Sequence, residues 1–92
     1  MMNELIQRIQ RTRDIIYRNG DLPCMAIVHN LQNYSTILKE MGLNFEAAAV
    51  LSAGSLLYNF PVYKFDQIYP DSIRYGAVIL LDRVIDNLTE RM

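Results

Sequence analysis

The feature that most constrains the fold is a nearly charge-free segment in the middle of the chain. Residues 42–58 read GLNFEAAAVLSAGSLLY, and Glu46 is the one charged residue among them. Gly42 can end a preceding helix with a left-handed backbone, Asn44 can cap a new helix, and Glu46 falls in the first turn, where the helix dipole favours an acid. A helix that is apolar or small on all sides is typical of an enclosed element. We therefore expect a buried central helix over 44–58, with the rest of the chain packed around it.

Three other segments show the apolar periodicity of amphipathic helices, with predicted bounds 3–18, 22–41 and 71–89. Asp21 is the predicted cap of the second of these helices, and Pro23 is tolerated in its first turn. The residues predicted to be buried are Leu5, Ile6, Ile9, Thr12, Ile16 and Tyr17 in the first helix, Ile27, Val28, Leu31, Tyr34, Ile37, Leu38 and Met41 in the second, and Ile73, Ala77, Leu80, Leu81, Val84, Ile85 and Leu88 in the last. The 92 residues thus predict one all-α domain over 1–92, built from antiparallel helical hairpins.

The composition excludes several classes of function. A net charge of −1 favours neither nucleic acid nor an acidic membrane surface as a partner. The single cysteine, Cys24, excludes an internal disulfide and is consistent with a reducing compartment. The N-terminal residues lack the apolar core of a signal peptide, and the central apolar run is shorter than the roughly 20 residues that a membrane span needs. We therefore expect a cytoplasmic protein with no nucleic-acid partner and no membrane span.

The residues that could carry catalytic chemistry are too scattered to form a site. Cys24 and His29 are five residues apart, which places them about 140° apart around one predicted helix and off a shared metal-binding face. The four glycines are isolated, so no phosphate-binding loop is present. Asp82 and Asp86 share a helix face but have no partner for acid–base work nearby. We expect no enzyme activity, no metal and no cofactor.

Aromatic residues concentrate in the connection before the last helix. Six of the nine aromatic residues lie between Tyr58 and Tyr75. They form either an ordered loop packed over the helix ends or an exposed patch that receives a protein partner. The candidate partner-binding residues in and next to this connection are Tyr58, Phe60, Tyr63, Phe65 and Tyr69. A further candidate is Ile79, which falls beside an acidic ridge of Asp82, Asp86 and Glu90 and could contact a basic, apolar partner helix.

The second and third predicted helices resemble a tetratricopeptide (TPR) unit. In that family a helical hairpin carries small or apolar residues at fixed positions, a glycine at the turn and Glu-Ala at the start of the second helix. The matching residues here are Leu31, Tyr34, Ser35, Leu38, Gly42, Glu46, Ala47, Leu51, Gly54 and Leu57. The match covers about a third of the chain, and it departs from the family at Leu31, where an aromatic residue is usual, and at Pro61, which falls two residues late. It implies a TPR-like arrangement, and the alternative is a simple four-helix bundle.

Over about 24–58, the chain also resembles the TPR-like needle-protein co-chaperones of bacterial type III secretion systems. The shared run here is Cys24, Ile27, Leu31, Gly42, Glu46, Ala47, Leu51, Ser55 and Leu56. In that family the TPR-like subunit forms a heterodimer with a small helical co-chaperone, and together they sequester the needle subunit. The resemblance implies a chaperone linked to virulence that prevents premature polymerisation of a helical partner. On the TPR analogy the groove side of the second helix carries His29, Gln32, Thr36 and Lys39.

The size and composition also fit another class, the small helical immunity or inhibitor proteins of bacteriocin and phage systems. A small enzyme subunit or a nucleic-acid regulator is the third class, and the charge and motif census disfavours it. The first two classes share the need for a protein-binding surface.

Overall fold

The computed structural model describes residues 2–18, 24–59 and 71–91. Four α-helices account for nearly all of them: α1 (Met2–Arg18), α2 (Cys24–Glu40), α3 (Asn44–Tyr58) and α4 (Asp71–Glu90). The predicted all-α class with four helices is confirmed, and the helix ends that can be compared differ from the prediction by one residue at most. The predicted start of the second helix at 22, with Asp21 and Pro23, lies outside the described residues.

The four helices form a closed ring of antiparallel neighbours. α2 packs on α3, α3 on α4 and α4 on α1, while α1 and α2 meet more loosely. In their described parts, no Cα atom of α1 lies within 8 Å of one in α3, and the same is true of α2 and α4. In a repeat array each unit contacts only its neighbours, so the first and last helices lie apart. Here α1 packs against α4 and completes the ring. Of the two arrangements expected from the sequence, the structure has the simple four-helix bundle.

The turn between α2 and α3 is a Schellman motif, with Gly42 in the left-handed conformation that the sequence predicted. Gly42 has a φ of 79°, and its N–H donates to the Lys39 carbonyl at 3.0 Å, while the Leu43 N–H donates to the Leu38 carbonyl at 2.9 Å. The prediction of Asn44 as the cap is wrong, because Asn44 is already helical and Leu43 occupies the N-cap position without a side-chain cap bond. Leu43 is drawn into this position by apolar contact, since it packs against the core.

The predicted apolar stripes form the core, with a few exceptions. Ile9, Leu31, Leu38, Val50, Leu81 and Leu88 are fully enclosed. Tyr17 and Met41, which were predicted to be buried, are exposed. Tyr17 lies at the edge of the α1–α4 contact, where its ring packs beside that of Tyr75, and Met41 follows the last residue of α2. Ile37, Ile73 and Leu80 are half-buried at the edges of the core. The periodicity missed Val78, Ser35 and Glu46, which are buried.

The central helix α3 is not enclosed as expected. It packs against α2 and α4 alone among the described helices, and its outer face is open to solvent. Small residues such as Ala48 and Ser52 occupy much of this face, together with the exposed Phe45 and Leu51. The TPR pattern had placed Leu51 in a packing position. The sequence did not indicate which face of α3 would be exposed, because the residues on that face are small or apolar like those on the buried face. In a ring of four helices, each helix keeps one outer face exposed to solvent.

Polar contacts fix how α1 and α4 meet. Arg74 donates to the carbonyls of Ile16 at 3.3 Å and Tyr17 at 2.8 Å, so it satisfies carbonyl groups in the last turn of α1. Arg13 forms an ion pair with Asp82, so this member of the predicted acidic ridge is paired within the bundle. The first turn of α4 is thus tied to the last turn of α1.

Gly54 gives a direct test of the α2–α3 packing. A Cβ placed on Gly54 would lie 3.5 Å from the Leu31 Cβ, an ordinary van der Waals distance. We therefore expect Gly54→Ala to raise the free energy of unfolding by about 0.5–1 kcal/mol through helix propensity. Gly54→Leu should lower it by about 1–3 kcal/mol, because the larger side chain overpacks the crossing. Urea unfolding of the two variants beside the wild type measures both, and a neutral Leu variant would contradict the tight crossing.

Candidate partner-binding surfaces

Large apolar side chains remain exposed on every described helix of the bundle. They are Ile15, Tyr17, Met25, Met41, Phe45, Leu51, Tyr58, Tyr75 and Ile79. Single exposed apolar residues are common on protein surfaces, so the informative cases are those that cluster. Two clusters occupy depressions between helices, and each has a different chemistry.

The first cluster is the α2–α3 ridge, which we define as Met25, Gln32, Leu51 and Tyr58. Met25 and Gln32 are seven residues apart on α2, and Leu51 and Tyr58 have the same spacing on α3, so each pair shares one helix face. Gln32, Leu51 and Tyr58 line a common depression of about 90 Å³ with Val28 and Gly54 at its base. Leu51 is 47% and Tyr58 58% exposed. The ridge therefore presents apolar side chains at helical spacing.

The second cluster is the α1–α2 groove, at the loosest contact of the ring. It has a volume of about 690 Å³, and its lining residues are Arg8, Arg11, Thr12 and Ile15 from α1 and Asn30, Asn33, Tyr34, Thr36, Ile37 and Glu40 from α2. Its floor contains the buried hydroxyls of Thr12 and Tyr34, which are hydrogen-bonded to each other at 3.2 Å. The groove thus has both polar and apolar side chains on its walls, and the two hydroxyls at its floor are hydrogen-bonded to each other.

A third depression lies between α3 and α4, with a volume of about 420 Å³. It is lined by Leu56, Ile73 and Leu80 together with Ser52, Ser55 and Asn59. Ile73 and Leu80, which were predicted to lie on the buried face of the last helix, are half-buried at this recess.

The structure brings together some of the sequence-predicted site residues and separates others. Gln32 and Tyr58 meet at the α2–α3 ridge, whereas Thr36 lies in the α1–α2 groove. His29 is exposed on α2, and Ile79 is 65% exposed on α4. The remaining candidates in the aromatic connection lie outside the described residues; they are Phe60, Tyr63, Phe65 and Tyr69.

Sequence reasoning missed the groove. It gave no partner-binding role to the groove residues Arg8, Arg11, Ile15, Asn30 and Asn33. The available signal was the pair of arginines three residues apart, which places them side by side on a helix. Their position opposite the asparagines of α2 could be seen only once the two helices were docked.

The described residues offer little for other chemistry. Across residues 2–18, 24–59 and 71–91, no three His, Cys, Asp or Glu side chains come close enough to hold a metal ion. None of the helices in those ranges combines the length and apolar character that crossing a membrane requires. No protein-family model, curated protein sequence or solved structure matches the chain. The function must therefore be argued from the surfaces themselves.

The hydroxyl pair at the groove floor can be tested by a double-mutant cycle. Tyr34→Phe leaves the buried Thr12 hydroxyl without its partner, and Thr12→Val does the converse, so each should cost about 1–3 kcal/mol of stability. The double variant should cost less than the sum of the two, because neither unpaired group then remains buried. Thermal or urea unfolding of the four proteins measures the coupling, and strictly additive losses would show that the two hydroxyls do not depend on each other.

Proposed function

We propose that this protein is a chaperone that binds and sequesters an amphipathic helix of a protein partner. The observation that carries the proposal is the α2–α3 ridge, where Leu51 and Tyr58, seven residues apart on α3, stay exposed beside Gln32 of α2. These side chains cannot be buried in the protein's own core, because α2 and α3 already pack against each other through other faces. A second protein is therefore the expected source of contacts that bury them.

The geometry of the ridge suits a helix as the bound element. A helix that lies along a groove contacts it through residues at i, i+3 or i+4, and i+7. Leu51 and Tyr58 supply two apolar contacts one heptad apart, about 10 Å along the helix axis. Gln32 between them can hydrogen-bond to a polar side chain and so set the register of the partner. The ridge therefore favours a helix of at least two turns.

The resemblance to type III secretion co-chaperones supplies the more specific form of the proposal. On that basis the partner is a polymerisation-prone helical subunit, such as a needle protein, held in the bacterial cytoplasm together with a small co-chaperone. An immunity or inhibitor protein would use an exposed surface of the same kind against a toxin. The two forms differ in the protein encoded beside this chain, which is a secretion subunit in one case and a toxin in the other.

The test uses the small helical proteins encoded next to this chain as binding partners. Each is co-expressed with the wild-type chain and with the double variant Leu51→Ser/Tyr58→Ser, and the affinity of the purified complex is measured by calorimetry. We expect the double variant to lose about 2–4 kcal/mol of binding free energy, as expected when two apolar contacts are removed from an interface. Both side chains are exposed, so the free energy of unfolding of the uncomplexed protein should change by less than about 1 kcal/mol.

Phe45→Ser is the matched control. Phe45 is 62% exposed on the same helix, but it lies about 120° around the axis from Leu51. It should bind the partner as the wild type does. Equal losses in the control and the double variant would mean that the ridge is not the binding surface, and the proposed function would lose its support.

A further inference from the structure

We propose that the α1–α2 groove is a second protein-binding site, specific for an acidic amphipathic helix. This site is separate from the α2–α3 ridge and does not depend on the function proposed for it. The argument uses the length of the groove, the charges on its walls and the distribution of its apolar residues.

The groove has the length of a short helix and the shape of a trough. Its lining spans residues 8–15 of α1 and 30–40 of α2. At 1.5 Å per residue these stretches extend about 10 and 15 Å along the bundle, which corresponds to two to three helical turns. Because α1 and α2 pack less closely than the other neighbouring pairs, a further helix can lie between them on the outside of the bundle.

The charges on the α1 wall favour an acidic occupant. Among the residues that the structure describes, neither Arg8 nor Arg11 forms an ion pair, although Arg13, Arg74 and Arg91 each pair with a carboxylate. Arg8 and Arg11 are three residues apart and therefore adjacent on the helix surface. Two carboxylates at i and i+3 or i+4 of a bound helix would match them and gain charge-assisted hydrogen bonds.

The rest of the lining fits a helix better than a small anion or a nucleic acid. Ile15 and Ile37 provide apolar contacts on the two walls, while Asn30 and Asn33 can donate or accept hydrogen bonds. Glu40 at one end would repel a continuous polyanion. The ring of Tyr34 is buried at the floor, so it cannot serve as a stacking platform for bases.

An apolar helix edge can cover the floor of the groove without leaving the buried hydroxyls there unpaired. The Thr12 and Tyr34 hydroxyls are paired with each other, so covering them leaves neither without a hydrogen bond. The occupant that satisfies all of these features carries leucine-like residues along one edge, which contact Ile15 and Ile37, and acidic residues beside them, which face the arginines.

The experiment uses two labelled synthetic helices of about three to four turns. The first has leucines along one edge and glutamates spaced i, i+3 beside them, and the second has glutamine at each glutamate position. Binding to the full chain is measured by fluorescence anisotropy at low and high salt. We compare the wild type with the double variant Arg8→Gln/Arg11→Gln. The control is Arg18→Gln/Arg83→Gln, which removes the same charge at exposed positions outside the groove lining.

The glutamate peptide should bind more tightly than the glutamine peptide, and its affinity should fall with salt. The Arg8→Gln/Arg11→Gln variant should weaken it by about tenfold or more, while the control should change it by about twofold at most. Nuclear magnetic resonance should place the largest shifts at Asn30 and Asn33. No binding, equal binding of the two peptides, or equal losses in the two variants would overturn the proposal. Retained binding in the Leu51→Ser/Tyr58→Ser protein is expected and separates this site from the ridge.

Discussion

The close crossing of α2 and α3 is the contact on which the rest of the bundle depends. Gly54 lets α3 approach Leu31 without an intervening side chain, and Ser35 donates to the Ala47 carbonyl at 2.8 Å in the same interface. The Schellman turn at Gly42 fixes the two helices as an antiparallel pair. Once this hairpin is set, α4 covers one side of α3 and α1 docks on α4, which leaves the α1–α2 contact as the loosest part of the ring.

Buried polar groups in this small core act mainly on register. Glu46 is 3% exposed, and its carboxylate lies 3.4 Å from the guanidinium of Arg91 at the end of α4. With the hydroxyl pair across α1 and α2 and the arginine contacts between α1 and α4, polar contacts join all four neighbouring pairs of helices. A purely apolar bundle of this size could slide by a turn at little cost. Polar pairs that can form in a single alignment of the helices raise the free energy of the shifted arrangements.

Local features of the fold could be predicted from the sequence, and features that depend on docking could not. The apolar periodicity of Leu5, Ile9 and Ile16 and the turn at Gly42 each depend on residues that are close together in the sequence, so both were predicted. The cap at Asn44 failed because the apolar contact of Leu43 outweighed a side-chain cap. The open face of α3 and the groove opposite Arg8 and Arg11 arise from helices that are distant in sequence, and no local pattern reports them. Tyr58 and Gln32 were chosen on separate grounds, and their meeting at one ridge became visible only in the folded chain.

The contacts between Arg74 and the last carbonyls of α1 also bear on the order in which the chain folds. They join residues 57 and 58 positions apart, whereas the α2–α3 hairpin closes over a short turn. Because closing a long loop costs entropy before the contact repays it, the hairpin should form early and α1 should dock last. During synthesis on the ribosome, α1 emerges before α4 and cannot pack against it until α4 has been made. Its apolar stripe is therefore available to other helices until α4 emerges.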